Sequence, residues 1–146
     1  MNLSTDVKIT VVSPAAAAAQ TAIDSSILDM QGYEGVMFIA LTGDVTTASV
    51  LTLTVKGNTA NHLTVPAPVT QKATSAFTAD GTSADSKALV VDLYKPATRY
   101  VFANLTRTAA DAIIGGIIAV QYNGTVKPTA NDASVIAAAF GLGVVA

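Results

Sequence analysis

The chain has no cysteine and no tryptophan, a single histidine, and 12% charged residues, about half the usual quarter. Without cysteine there are no disulfides and no thiolate metal sites, a composition that fits synthesis in a reducing cytoplasm. One histidine, His62, leaves little scope for Ser/His/Asp catalysis, and it sits between Asn61 and Leu63 at the edge of a turn, where a hydrogen-bonded loop role is expected. The eight Lys and Arg are scattered from Lys8 to Lys127 with a formal net charge of −2, so the clustered cations of a nucleic-acid groove are missing. No apolar run approaches the roughly 18 residues of a membrane span. Met1 to Lys8 lack a basic start followed by a long apolar segment, so no secretory leader is expected.

What the chain does have is apolar surface in excess: 51% of its 146 residues are hydrophobic. One domain of this length buries about 70% of its unfolded surface. With so few charges left to cover the remainder, a lone copy would expose uncharged surface and associate. A homo-oligomer or a subunit docked on a larger partner is therefore expected.

Residues 36–42, seven apolar or β-forming residues bracketed by Gly35 and Gly43-Asp44, read as a strand buried on both faces. Leu51, Leu53 and Val55 alternate with Thr52, Thr54 and Lys56, the signature of an antiparallel strand with one dry face. The short link between these two stretches predicts a hairpin. Further strands are expected over residues 7–12, 62–65, 87–94, 99–106 and 112–122, with one edge strand inside the polar stretch 69–86. Ala15 to Ala19 read as a loop or one turn, since five alanines with no amphipathic partner bury little. Gly115-Gly116 inside the last strand predict a bulge or a close backbone approach. The fold class expected is all-β: one domain over 1–146, a two-sheet antiparallel β-sandwich of jelly-roll-like type, with long loops, an N-terminal strand or arm over 1–14 and an apolar C-terminal tail over 129–146.

Chemistry is sparse. Asp24, Asp29 and Glu34, or Asp80 and Asp85, are carboxylates that in convergent groups hold metals or cleave glycosides, but here each flanks a turn, where Asp normally caps backbone amides. Neither Gly115-Gly116 nor Gly141-Leu142-Gly143 continues into a phosphate-binding pattern. No cofactor and no metal are expected. The densest polar feature, Lys95-Pro96-Ala97-Thr98-Arg99-Tyr100, places a guanidinium able to clasp a carboxylate, and pairing with Glu34 or Asp92 is expected if the hairpins of 36–55 and 87–106 are sheet neighbours. The tail is uncharged after Asp132, and Val135, Ile136, Phe140, Leu142, Val144 and Val145 are its candidate interface residues.

Three stretches together resemble a known family. Asp29-Met30-Gln31-Gly32-Tyr33-Glu34-Gly35-Val36-Met37-Phe38-Ile39, the segment Tyr94-Lys95-Pro96 with Arg99-Tyr100-Val101, and Ile117-Ile118-Ala119-Val120-Gln121-Tyr122 are similar, in that order, to segments of small structural proteins of tailed bacteriophages. Members of this kind are capsid decoration, or cement, proteins. The resemblance implies a β-sandwich that binds the outside of an assembled shell, often as a trimer at three-fold positions. It implies as partners further copies of itself and the major capsid protein, with neither nucleic acid nor membrane, and as location the virion surface after synthesis in the host cytoplasm. It brings no catalytic residues. Other readings are a tail-tube or fibre-base subunit and, from a different class, a carbohydrate-binding sandwich, whose exposed aromatic cluster is not visible in the sequence.

Overall fold

The computed structural model describes residues 2–127 and 129–143. It is an all-β sandwich of two antiparallel sheets packed face to face. A single helical turn, α1 (Leu3–Asp6), capped by the Asn2 side chain on the Ser4 amide, precedes eleven strands. These are β1 (Val7–Ser13), β2 (Ala16–Ala19), β3 (Ile23–Asp24), β4 (Leu28–Asp29), β5 (Gly35–Val45), β6 (Val50–Asn58), β7 (Val69–Ala73), β8 (Phe77–Thr78), β9 (Ala88–Tyr94), β10 (Tyr100–Thr108) and β11 (Ala112–Tyr122). The first sheet, A, runs β1-β11-β5-β9, with β2 also on β11. The second, B, runs β3-β10-β6-β7, with β4 on β10 and β8 on β6. The chain passes from one sheet to the other between β2 and β3, β4 and β5, β5 and β6, β8 and β9, β9 and β10, and β10 and β11, the winding of a jelly roll.

The core lies between the sheets. Val36, Phe38 and Ala40 of β5, Val91 of β9 and Ile117 and Ala119 of β11 face Leu53 and Val55 of β6 and Val101, Ala103 and Leu105 of β10. A smaller cluster of Val45, Leu51, Ala79, Ala84 and Ala112 closes one end.

Several expectations are corrected. Residues 36–42 are not buried on both faces: Val36, Phe38 and Ala40 are fully buried, Met37 and Ile39 only partly, and Leu41 is exposed. The strand reads as a continuous apolar run because its outer side is apolar too. The predicted hairpins are crossovers: β5 pairs with β11 and β9, whereas β6 pairs with β10, β7 and β8, and β9 and β10 likewise lie in opposite sheets. In each case the two strands contribute to one core from opposite sheets, so their apolar side chains are buried together without pairing. The alanines of β2 form a strand, since beyond the Gly115-Gly116 bulge the edge of β11 still needs backbone partners, and Ala16 and Ala19 supply them opposite Ile114 and Ala112. Residues 62–65 form no strand, because the His62 ring supersedes a ladder there: its Nδ1 accepts from the amides of both Thr64 and Val65 at 3.1 Å.

The glycine bulge is as expected. Register shifts between Ile114 and Gly116, and Gly116 has φ +137° with a Cβ position only 3.1 Å from the carbonyl oxygen of Ser13. No other residue fits there without strain.

Residues 7–13 are built into sheet A, so only α1 remains of the expected N-terminal arm. The first part of the tail is held by its own chain. Thr129 donates its amide to the Thr5 carbonyl and its hydroxyl to that of Val7, Asn131 Oδ1 accepts from the Ile9 amide, Asp132 donates its amide to the Ile9 carbonyl, and Ser134 Oγ accepts from the Val11 amide. This segment thus runs alongside β1 and blunts its edge, partly through side chains. Among the described residues, no helix is long and apolar enough to cross a membrane.

Candidate interaction surface

Polar groups meet at the rim where residues 29–34 approach the β9–β10 turn. Arg99 immediately precedes β10, and Tyr100 sits opposite Asp29 of β4. That register puts the guanidinium on Asp29, with Nε to Oδ1 at 2.9 Å and Nη2 to Oδ2 at 2.7 Å, and Nη2 also reaches Gln31 Oε1 at 2.6 Å. The expected pairing with Glu34 or Asp92 is therefore incorrect. Those two carboxylates serve sheet A, where Glu34 Oε2 accepts from the Tyr94 hydroxyl at 3.1 Å and from Asn123 Nδ2 at 3.3 Å, and Asp92 Oδ1 accepts from the Tyr122 hydroxyl at 2.5 Å. The hydrogen bond from Arg99 holds the Asp29 carboxyl below the usual range, aided by the Gln31 amide, and the same bond raises the Arg99 guanidinium. Burial, then the bond to Asp92, pushes the Tyr122 phenol up. Tyr122 reaches Asp92 by lying flat over Gly35, where even one Cβ would collide with its ring.

A shallow cavity of about 500 Å³ opens beside this cluster, lined by Tyr33, Glu34, Lys95, Pro96 and Arg99 among others. Glu34 and Arg99 are hydrogen-bonded to neighbours there, and the Lys95 ammonium lies over the Tyr94 ring. Asp24 accepts from Asn104 Nδ2 at 2.6 Å and Asp85 from the Val45 amide at 2.9 Å, so these carboxylates do turn and strand chemistry. Among the described residues, no group of three or more His, Asp or Glu could hold a metal.

Arg107 escaped sequence reading. It is 3% exposed and has no carboxylate partner; Nε donates to the Thr21 carbonyl at 2.9 Å, and Nη1 to those of Ala17 and Ala112 at 2.8 and 2.7 Å. Its planar fork ties the β2–β3 connection to both sheets. Its one sequence signal was a lone cation within an otherwise apolar and Thr-rich strand.

What distinguishes the molecule is the outer side of sheet A. Cross-strand register aligns Val11, Ile118, Ile39 and Val90 in one row spanning all four strands, with Ile9, Val120 and Met37 in the next, which ends on Asp92. At the margins Val11 is 42% exposed and Val90 47%, and Leu41 and Ile113 extend the apolar area. Of the candidate tail residues, Ile136 is 99% exposed, Leu142 81% and Phe140 60%, while Val135 is partly buried. Val144 and Val145 lie outside the described residues. Contiguous exposed apolar area of this kind marks interaction sites. Neither a protein-family model nor a curated protein sequence matches the chain.

Proposed function

We propose that the protein is a structural, non-enzymatic subunit that associates with copies of itself and binds the outer surface of an assembled phage capsid as a decoration protein, a trimer in the simplest arrangement. The observation that carries this reading is the apolar row Val11–Ile118–Ile39–Val90 on an outward sheet face. A face whose central row is uncharged suits large shape-complementary contacts, in which core positions are depleted of charge. The resemblance of residues 29–39, 94–101 and 117–122 to phage structural proteins supplies the kind of scaffold.

The test has two parts. Light scattering behind size-exclusion chromatography should give a small closed oligomer, and long polymers would point instead to a tube subunit. Capsids of a tailed phage stripped of their own decoration should then carry the protein down on sedimentation, bound at three-fold positions by electron microscopy. Absence of binding to any capsid that its host's phages make would overturn the capsid assignment.

A further inference from the structure

We infer that residues 135–143 of one copy add a strand to the β9 edge of the next copy, filling the groove between the two sheets there. The donor is written in the sequence as a strand the single chain does not form. Ile136, Ala138, Phe140 and Leu142 alternate with Ala137, Ala139, Gly141 and Gly143, so an extended conformation gathers the large apolar side chains on one face and the small ones on the other. In the single chain this segment is irregular and its large side chains are exposed.

The acceptor is β9. Lys95 donates to the Glu34 carbonyl and Thr42 to that of Lys87, which fixes the ladder phase so that Leu89, Val91 and Leu93 bond to β5. The amides and carbonyls of Ala88, Val90, Asp92 and Tyr94 then point away from the sheet, an edge open to strand addition. Beside that edge lies a groove of about 380 Å³ between the sheets, lined by Leu51, Phe77, Leu89 and Ala84, with Lys87 its one charged neighbour. A strand added with Ile136, Phe140 and Leu142 inward would turn them toward the space between the sheets and seat part of that face in the groove, while its glycines and alanines would continue the outer face.

A second copy is the fitting donor. The tail is anchored along β1 by residues 129–134, and its later part passes Asn2, Leu3 and Ser4. In sheet A, β1 and β9 are opposite margins, three strand spacings or about 14 Å apart. Donor and acceptor thus lie on different sides of one molecule, a head-to-tail contact that closes into a ring when the rotation permits. Inside the groove Lys87 is the one charge to desolvate, while the Asp92 carboxylate of the same edge stays on the outer face, bonded to the Tyr122 hydroxyl. The contact would cover Ile136, Phe140 and Leu142 with nine residues of backbone on the donor, and the half-exposed Phe77 and Val90 with the free β9 edge on the acceptor.

The inference rests on the self-association part of the proposed function and is independent of the capsid. Its test uses the full chain, which has no native cysteine. Single-cysteine proteins Val90→Cys and Ala137→Cys or Ala139→Cys are mixed and oxidised, with Thr52→Cys on the other sheet as control. A mixed disulfide of the tail variants with Val90→Cys, absent with Thr52→Cys, is expected. The triple variant Ile136→Asp, Phe140→Asp, Leu142→Asp is expected to elute as a single chain with an unchanged unfolding midpoint. A wild-type oligomer that the triple variant preserves, or that gives no mixed disulfide, overturns strand exchange and leaves self-association standing. A monomeric wild type overturns both.

Discussion

The two sheets share one core but present opposite outer faces. On sheet A the central row reads Val11, Ile118, Ile39, Val90; on sheet B the corresponding row reads Asp24, Asn104, Thr54, Ala73, with Thr106 opposite Thr52 beside it. Sheet B is finished for water by hydroxyls, amides and a carboxylate, and Asn104 bonds to Asp24 across its strands. Sheet A has such a finish only toward one end, where Asp92 accepts from the Tyr122 hydroxyl, and none in its central row. The difference localises the surplus of apolar residues: it lies on one sheet and in the tail attached to that sheet's edge, where it is free to be covered by something else.

Breaking what the sheets share should have the largest effect. Phe38 is fully buried at the centre of the core, and Phe38→Ala should cost about 3–5 kcal/mol in urea unfolding, enough to leave such a domain marginal. Next comes the link between the sheets. Removing Arg107 leaves three backbone carbonyls, those of Ala17, Thr21 and Ala112, without their donor in a buried site, so Arg107→Ala should cost about 3 kcal/mol or more. Arg107→Lys should recover only part of this, because one ammonium does not reproduce the planar fork. Equal stability of the Arg and Lys proteins would show that the charge alone matters.

The contrast between the faces is sharpened by moving chemistry from one to the other. Leu41→Thr combined with Val90→Thr gives sheet A the finish of sheet B at exposed positions, and should change unfolding free energy by about 0.5 kcal/mol or less. Self-association measured by light scattering should weaken at least tenfold. Thr52→Val with Thr54→Val on sheet B should leave assembly unchanged. If both pairs behaved alike, the outer row of sheet A would have no special role.

These comparisons also show what the sequence made legible. Strands β1, β5, β6, β9, β10 and β11 could be read directly, since each has its own period and its own turn residues. Which sheet each strand joins could not. A four-residue link such as 46–49 serves a hairpin or a crossover equally well, and both bury Phe38 against Leu53; the choice is made by β11 and β10, more than 45 residues further along. The tail's uncharged character was plain, but its anchoring by Asn131 and Ser134 depends on the edge of β1 being free. Arg99 was correctly taken as a clasp, but its partner is set by the register of the two-residue strand β4, too short to leave a pattern. Arg107 was invisible because backbone carbonyls, its partners, carry no sequence signature.

The smallest effects separate the rims of the two sheets by pH. At the sheet B rim, Asp29 has a folded-state pKa below its unfolded value of about 3.9, so its bond to Arg99 stabilises fully above that value and is lost as pH falls through the folded one. Arg99→Ala should therefore flatten the stability profile below about pH 4, and a double-mutant cycle should couple Arg99 with Asp29 while leaving Arg99 and Glu34 additive. At the sheet A rim the sign reverses. Tyr122 has a folded-state pKa above its unfolded value of about 10, so its contribution is complete below pH 10 and is lost as pH rises toward the folded value. Tyr122→Phe should flatten the alkaline limb, because the phenol that titrates there is gone. An alkaline-limb change in Arg99→Ala would mean that the two rims are coupled through the core and do not titrate as separate devices.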